Sequence, residues 1–160
     1  MTITGLIHVN INCSDFDRSL AFYELLGFSK AIDVPPTNTP EVAAAVGMPP
    51  YRVKGALLAL PTPTGVFMLD LLEWQEPNDV SPPYPHLYHL GIARIALATD
   101  DLDSEMARLN EHGVEFLSEP AAVTIDDRPT VRFVCFRDPD GTVLELVEQG
   151  SVPNGPPGGQ

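Results

Sequence analysis

Near the start of the chain, polar His8, Asn10 and Asn12 alternate with apolar Ile7, Val9 and Ile11. Side chains alternate across a strand, so the imidazole and the two carboxamides share one face. Further on, Asp70 in MLDLLE and Glu145 in VLELVE each interrupt an apolar run. An unpaired carboxylate is costly to bury, and a strand curled round a wet cavity would give this mixed pattern. Histidine and carboxylates can move protons or ligate a hard or borderline divalent ion.

Other polar and aromatic residues are weaker candidates. His86 and His89 lie three apart in PPYPHLYHLG. A helical pair at that spacing can hold a metal, but the prolines argue against a helix. They read as linker or cavity-rim imidazoles and, with Asn10, Asn12 and Trp74, as candidate substrate contacts. Trp74 could stack on a ligand or pack at an edge or dimer surface. His112 precedes Gly113 and reads as a helix C-terminal residue facing the dipole. Arg132, Cys135 and Arg137 lie on or beside the penultimate strand, where a bulge would flip any assignment of face. Asp126, Asp127 and Arg128 read as a solvated loop. There is no GxSxG, no Gly-rich phosphate loop and no nucleophile-spaced Cys–His pair.

An internal repeat positions these residues. LIHVNINCSDFDRSLAFYELLGF from Leu6 aligns without a gap on IARIALATDDLDSEMARLNEHGV from Ile92, at an offset of 86. Each copy predicts a strand (6–12 and 92–98), then a capped helix. The expected caps are Ser14 with Asp17, and Asp100 with Asp103. Phe16, Leu20 and Tyr23, and Leu102, Met106 and Leu109, recur at helical spacing. Gly27 and Gly113 fit the left-handed residue after each helix. Two strands joined by a turn follow, RVKGALLAL–PTPTG–VFMLDLLEW and TVRFVCF–RDPDG–TVLELVEQ. There the offset falls to 75, placing Asp70 opposite Glu145. The extra residues of the first copy lie in PPTNTPEVAAAVGMPP, with Thr39 as a cap and Pro40 at the first helical position. That segment reads as a lid or a surface insertion. The expected organisation is a first βαβββ module at 1–74, a Pro-rich linker at 75–90, a second βαβββ module at 91–149 and a disordered tail at 150–160.

The 160 residues hold nine Lys+Arg against 22 Asp+Glu, a formal net charge of −13. Such a surface repels phosphate backbones and anionic lipid, which argues against nucleic acid and membrane partners. No apolar run approaches the roughly 18 residues of a membrane span, and no secretory signal is visible. Cys13 and Cys135 read as reduced thiols of a cytoplasmic protein.

The motifs HVNINCSDFDRSLAFYELLGF, RIALATDDLDSEMARLNEHGVEF and FRDPDGTVLELVE resemble the vicinal oxygen chelate superfamily of glyoxalases, bleomycin-resistance proteins and extradiol dioxygenases, over about residues 5–149. The resemblance implies an α+β fold of two tandem βαβββ modules, with sheets curled around a shared cavity, and commonly a homodimer. It also implies four cavity positions, His8, Asp70, Arg94 and Glu145, which in metal-binding members hold a divalent ion. Arg94 departs from that pattern, because a guanidinium has no lone pair to give. At about 4 Å and an effective dielectric of ~20 it would repel a cation by roughly 4 kcal/mol per unit of charge. No cofactor is therefore favoured; a metal, if present, would use His8, Asp70 and Glu145. Arg94 either pairs with Asp70 or Glu145 in a former metal site, or holds a substrate carboxylate or enolate oxygen. The adopted expectation is a small-molecule lyase or isomerase working by proton transfer beside a carbonyl or carboxylate, with His8, Asp70, Arg94 and Glu145 as catalytic candidates. The alternatives are a non-catalytic, antibiotic-type binding protein, suited by the acidic charge to a cationic ligand, and a metal-dependent dioxygenase-like enzyme.

Overall fold

The computed structural model describes residues 2–149 except 125, 127 and 128. The expected tail at 150–160, and Asp127 and Arg128 of the polar loop, lie outside the described residues. The chain divides into two units between Pro82 and Pro83.

In the first unit, β1 (His8–Cys13) leads into helix α1 (Phe16–Leu25), then β2 (Ser29–Asp33), the short helix α2 (Pro40–Ala45), β3 (Arg52–Thr62) and β4 (Gly65–Glu76). The sheet order is β1-β4-β3-β2, with β1 parallel to β4 and the other pairs antiparallel. In the second unit, β5 (Ile95–Thr99), α3 (Leu102–Glu111), β6 (Ala121–Val123), β7 (Val131–Arg137) and β8 (Val143–Gln149) repeat the scheme, in order β5-β8-β7-β6. The fold is α+β, two tandem βαβββ modules, as the repeat predicts. The segment unique to the first copy folds as α2, capped by Thr39 with Pro40 in its first turn. It is tied to the start of β3 by Val53 N–H to Pro36 O and Tyr51 N–H to Asn38 Oδ1.

Each sheet packs a face against its helix, and a few buried residues, such as Val143 and Glu145, lie on the other. Ile11, Leu58, Leu69 and Leu71 are buried in the first unit together with Phe16, Ser19 and Tyr23 of α1. Val134, Phe136, Leu144 and Leu146 are buried in the second, together with Leu102 and Leu109 of α3. The glycines after the helices have φ +93° at Gly27 and +81° at Gly113, a conformation that a Cβ would strain.

The helix caps sit one residue later than expected. Asp15 (φ −147°, ψ 110°) accepts from Arg18 N–H at 3.0 Å, and Asp101 (φ −146°, ψ 99°) from Ser104 N–H at 2.9 Å. Both sites offer two adjacent capping side chains. The one whose extended backbone aims its carboxylate at the third helical amide takes the role. Ser14 instead accepts from the Arg18 guanidinium at 3.0 Å.

A second capping device is duplicated and escapes periodicity altogether. The Glu73 carboxylate of β4 accepts from Phe16 N–H at 2.9 Å, and Glu148 of β8 accepts from Leu102 N–H at 3.1 Å. Each glutamate faces a cation across the ladder, Lys54 or Arg132, and that cation also pairs with a first-turn aspartate, Asp17 or Asp103. Glu148 additionally accepts from Arg132 at 3.1 Å. Glu73→Ala should cost about 1 kcal/mol for the lost cap. Glu148→Ala should cost more, because Arg132 loses one of two partners. Denaturant melts of the two variants compare them directly, and equal losses would deny Arg132 this second role.

Candidate active site

The faces turned away from the helices carry the candidate residues. In the first unit β1 and β4 run in register, with His8 opposite Met68, Asn10 opposite Asp70 and Asn12 opposite Leu72. His8, Asn10, Asn12, Asp70 and, by alternation, Trp74 therefore share a face. Asn10 Nδ2 donates to the Asp70 carbonyl at 2.9 Å, and Trp74 Nε1 donates to Asn12 Oδ1 at 2.8 Å. Tyr51 packs against Trp74 with ring centroids 4.9 Å apart. Asn12 and the indole are thus tied to one another, and Asn10 to the backbone of β4.

Asp70 differs from these neighbours. Its Oδ1 is buried and makes no hydrogen bond. Burial pushes its carboxyl pKa above the ordinary carboxylate value, and the nearby His8 imidazole pulls it part of the way back. The first unit thus places a carboxyl of raised pKa beside an exposed imidazole.

The second unit repeats the register with Ala96 opposite Glu145 and, on the other side, Cys135 opposite Glu145. Ala96 and Glu145 stand where Asn10 and Asp70 stand in the first copy, at the offsets of 86 and 75 read from the sequence. Arg94, the counterpart of His8, donates from Nε to Glu145 Oε2 at 2.9 Å. The Glu145 side chain is 10% exposed and that of Arg94 is 45% exposed. Only Nε of the guanidinium is engaged; Nη1 and Nη2 have no partner among the described residues. Cys135 is half-buried on the same face, and burial and then the Glu145 charge raise its pKa, against the pull of Arg94. Cys13 is buried and also free. Cys135 is the neighbour that sequence reasoning missed, since the face of β7 was open until its register was known. Tyr84 is another: its hydroxyl donates to Ala93 O and accepts from Val143 N–H, both at 2.7 Å.

His86 stacks on Tyr88, with centroids 3.6 Å apart, and stands edge-on to His89 at 6.0 Å. A turn closed by His89 N–H to His86 O holds them together. Among the described residues no hydrogen bond or ion pair joins them to Arg94 or Glu145. His112 Nδ1 bonds the Arg108 carbonyl at 2.9 Å, at the end of α3.

The model of the Glyoxalase/Bleomycin resistance protein/Dioxygenase superfamily matches residues 5–146, and the chain belongs to that superfamily. It is 30% identical over 152 residues to YwkD of Bacillus subtilis (strain 168), covering 93% of this chain and all of the relative. It is 29% identical over 148 residues to YaeR of Escherichia coli (strain K12), covering 89% and 94%. A glyoxalase family protein from Bacillus cereus superposes with a TM-score of 0.72 at 21% identity, over 92% of this chain and 97% of that one. A glyoxalase family protein from Enterococcus faecalis gives 0.60 at 27% identity, over 92% and 100%.

A four-ligand metal centre does not fit these side chains. Arg94 offers no lone pair, and its Nε already occupies an oxygen of Glu145, which is itself one of the donors such a centre would need.

Proposed function

We propose that this chain is a lyase or isomerase that moves a proton next to the carbonyl or carboxylate of a small organic acid. The observation that carries this reading is the contrast between duplicated positions: a buried, unpartnered Asp70 carboxyl oxygen in one copy, and in the other an arginine with two free nitrogens braced on Glu145. Arg94 Nη1 and Nη2 match a carboxylate bidentately. Asp70, whose pKa burial raises, takes up a proton more readily than a carboxyl of ordinary acidity. In such a step a C–H bond α to the carbonyl breaks, its electron pair forms the enolate C=C, and the proton passes to a carboxylate, the part proposed for Asp70 in the first module. Reprotonation at the adjacent centre isomerises the substrate; loss of a β leaving group eliminates it. His8 exchanges the proton with solvent. Asn10 and Asn12 shape the face and Trp74 borders the ligand; His86 and His89 are carried as rim contacts. No metal takes part in this scheme. The protein is further read as a cytoplasmic homodimer acting on small organic molecules, its acidic surface disfavouring nucleic acid and anionic membrane; no described helix is long and apolar enough to cross a membrane.

The test is solvent-deuterium exchange into a panel of small 2-oxo acids, followed by proton NMR. Protein-dependent exchange at the α-carbon, lost in Asp70→Asn and in Arg94→Ala, is the expected result; no exchange with any member of the panel overturns it. The Tyr51–Trp74 pair favours a second reading, a non-catalytic binder of flat organic molecules. Saturable quenching of Trp74 fluorescence without exchange would select that reading.

A further inference from the structure

The two copies of the fold differ at one rung of their parallel ladders. In the first unit the β1–β4 ladder includes His8 opposite Met68. At the repeat offsets the corresponding residues are Arg94 and Val143, yet the second ladder begins one residue later, at Ile95 opposite Leu144. Continued back by one rung, that register would join Val143 N–H directly to the Ala93 carbonyl. These are the two groups that the Tyr84 hydroxyl bridges, at 2.7 Å each. The hydroxyl is inserted into a ladder bond, donating to the carbonyl and accepting from the amide. Both backbone groups remain satisfied, so the open rung leaves no buried orphan. The strands are held apart by two bonds where the first copy has one.

The opened rung lies at the residues that position the anchor. Ala93 immediately precedes Arg94, and Val143 lies two residues before Glu145 on the same face of β8. We propose that Tyr84 is a positioning residue for Arg94: its hydroxyl wedges the second sheet open at this rung and so sets how the guanidinium meets Glu145. With the rung open, Arg94 reaches Glu145 Oε2 through Nε and keeps both terminal nitrogens free. Closing it would draw the Arg94 backbone toward β8 and carry the guanidinium past Oε2, so that a terminal nitrogen would be spent on Glu145. The half-buried phenol comes from the Pro-rich segment before β5, so that segment takes part in the site through the bridge its hydroxyl makes. This inference rests on the reading of Arg94 as a carboxylate anchor for its functional meaning, but its geometry is testable without that reading.

The experiment follows the arginine Nε–H signals of the full-length chain by 15N NMR, with the Arg94 signal identified by its loss in Arg94→Lys. Tyr84→Phe should shift the Arg94 signal, leave those of Arg108 and Arg132 in place, and weaken pyruvate binding about tenfold. An unmoved Arg94 signal in folded Tyr84→Phe overturns the proposal. Should that variant fail to fold, 3-fluorotyrosine at position 84 keeps the bulk and both bonds while making the hydroxyl a stronger donor and a weaker acceptor. The Val143 amide and Arg94 Nε–H signals must then move together, and a shift in neither overturns the proposal. If Arg94→Ala binds pyruvate as the parent does, the anchor reading fails, and the Nε–H signal still decides the role of Tyr84.

Discussion

Arg94→Ala is expected to abolish binding of small carboxylates and to destabilise the fold by about 2 kcal/mol. The stability loss comes from Glu145. Its side chain is 10% exposed, and Arg94 is its ion-pair partner. Removing one partner of a fully buried pair costs about 3–5 kcal/mol. Arg94 is 45% exposed, so solvent screens part of the pair and the lower figure applies. Adding Glu145→Gln removes the stranded charge, so the double variant should recover part of the stability and none of the binding. Arg94→Lys keeps the charge but lacks the planar fork, and should restore stability better than affinity. Calorimetry with pyruvate beside denaturant melts separates the two effects. A large stability loss with unchanged affinity would make Arg94 a structural filler and defeat the anchoring role.

Much of this arrangement is legible in the sequence. The gapless match of HVNINCSDFDRSLAFYELLGF to its second copy encodes a strand, a cap, a helix and a left-handed glycine in order, and local physics dictates each of them. Duplication then supplied the register, because Asn10 and Ala96 share one offset, Asp70 and Glu145 share another, and each pair of partners lies opposite in its ladder. Of the two roles open to Arg94, pairing with a carboxylate is realised with Glu145, but through Nε alone, which leaves the other role available.

What could not be read depends on contacts remote in sequence. Phe16 N–H meets Glu73, 57 residues away, and nothing in the spacing of either residue marks that bond. The face of Cys135 depended on the pairing of β7 with β8. Tyr84 sits among prolines and looks like any linker aromatic; its role appears only where a ladder bond is missing. The caps fall one residue after Ser14 and Asp100 because Ser14–Asp15 and Asp100–Asp101 each present two capable side chains, and backbone conformation chooses between them.

Asp70→Asn is expected to stabilise the protein at neutral pH while removing its activity. A carboxyl whose folded pKa lies above its unfolded value is penalised as an anion in the folded state. Below the unfolded value the acid is protonated in both states and contributes nothing. As pH rises through the window between the unfolded and folded values, the unfolded state ionises first and stability falls; above the folded value the loss is complete. The neutral amide of asparagine escapes this penalty, though its buried oxygen still lacks a partner. A higher melting temperature than the parent is expected at pH 7, with no gain near pH 3. The amide cannot take up a proton, so exchange should fall by at least about 100-fold. Stability gained where function is lost marks a residue retained for chemistry. Thermal melts of Asp70→Asn and the parent at both pH values, paired with the deuterium-exchange assay, measure both quantities. If the variant melts below the parent at pH 7, Asp70 is a structural carboxylate and the proton must move elsewhere.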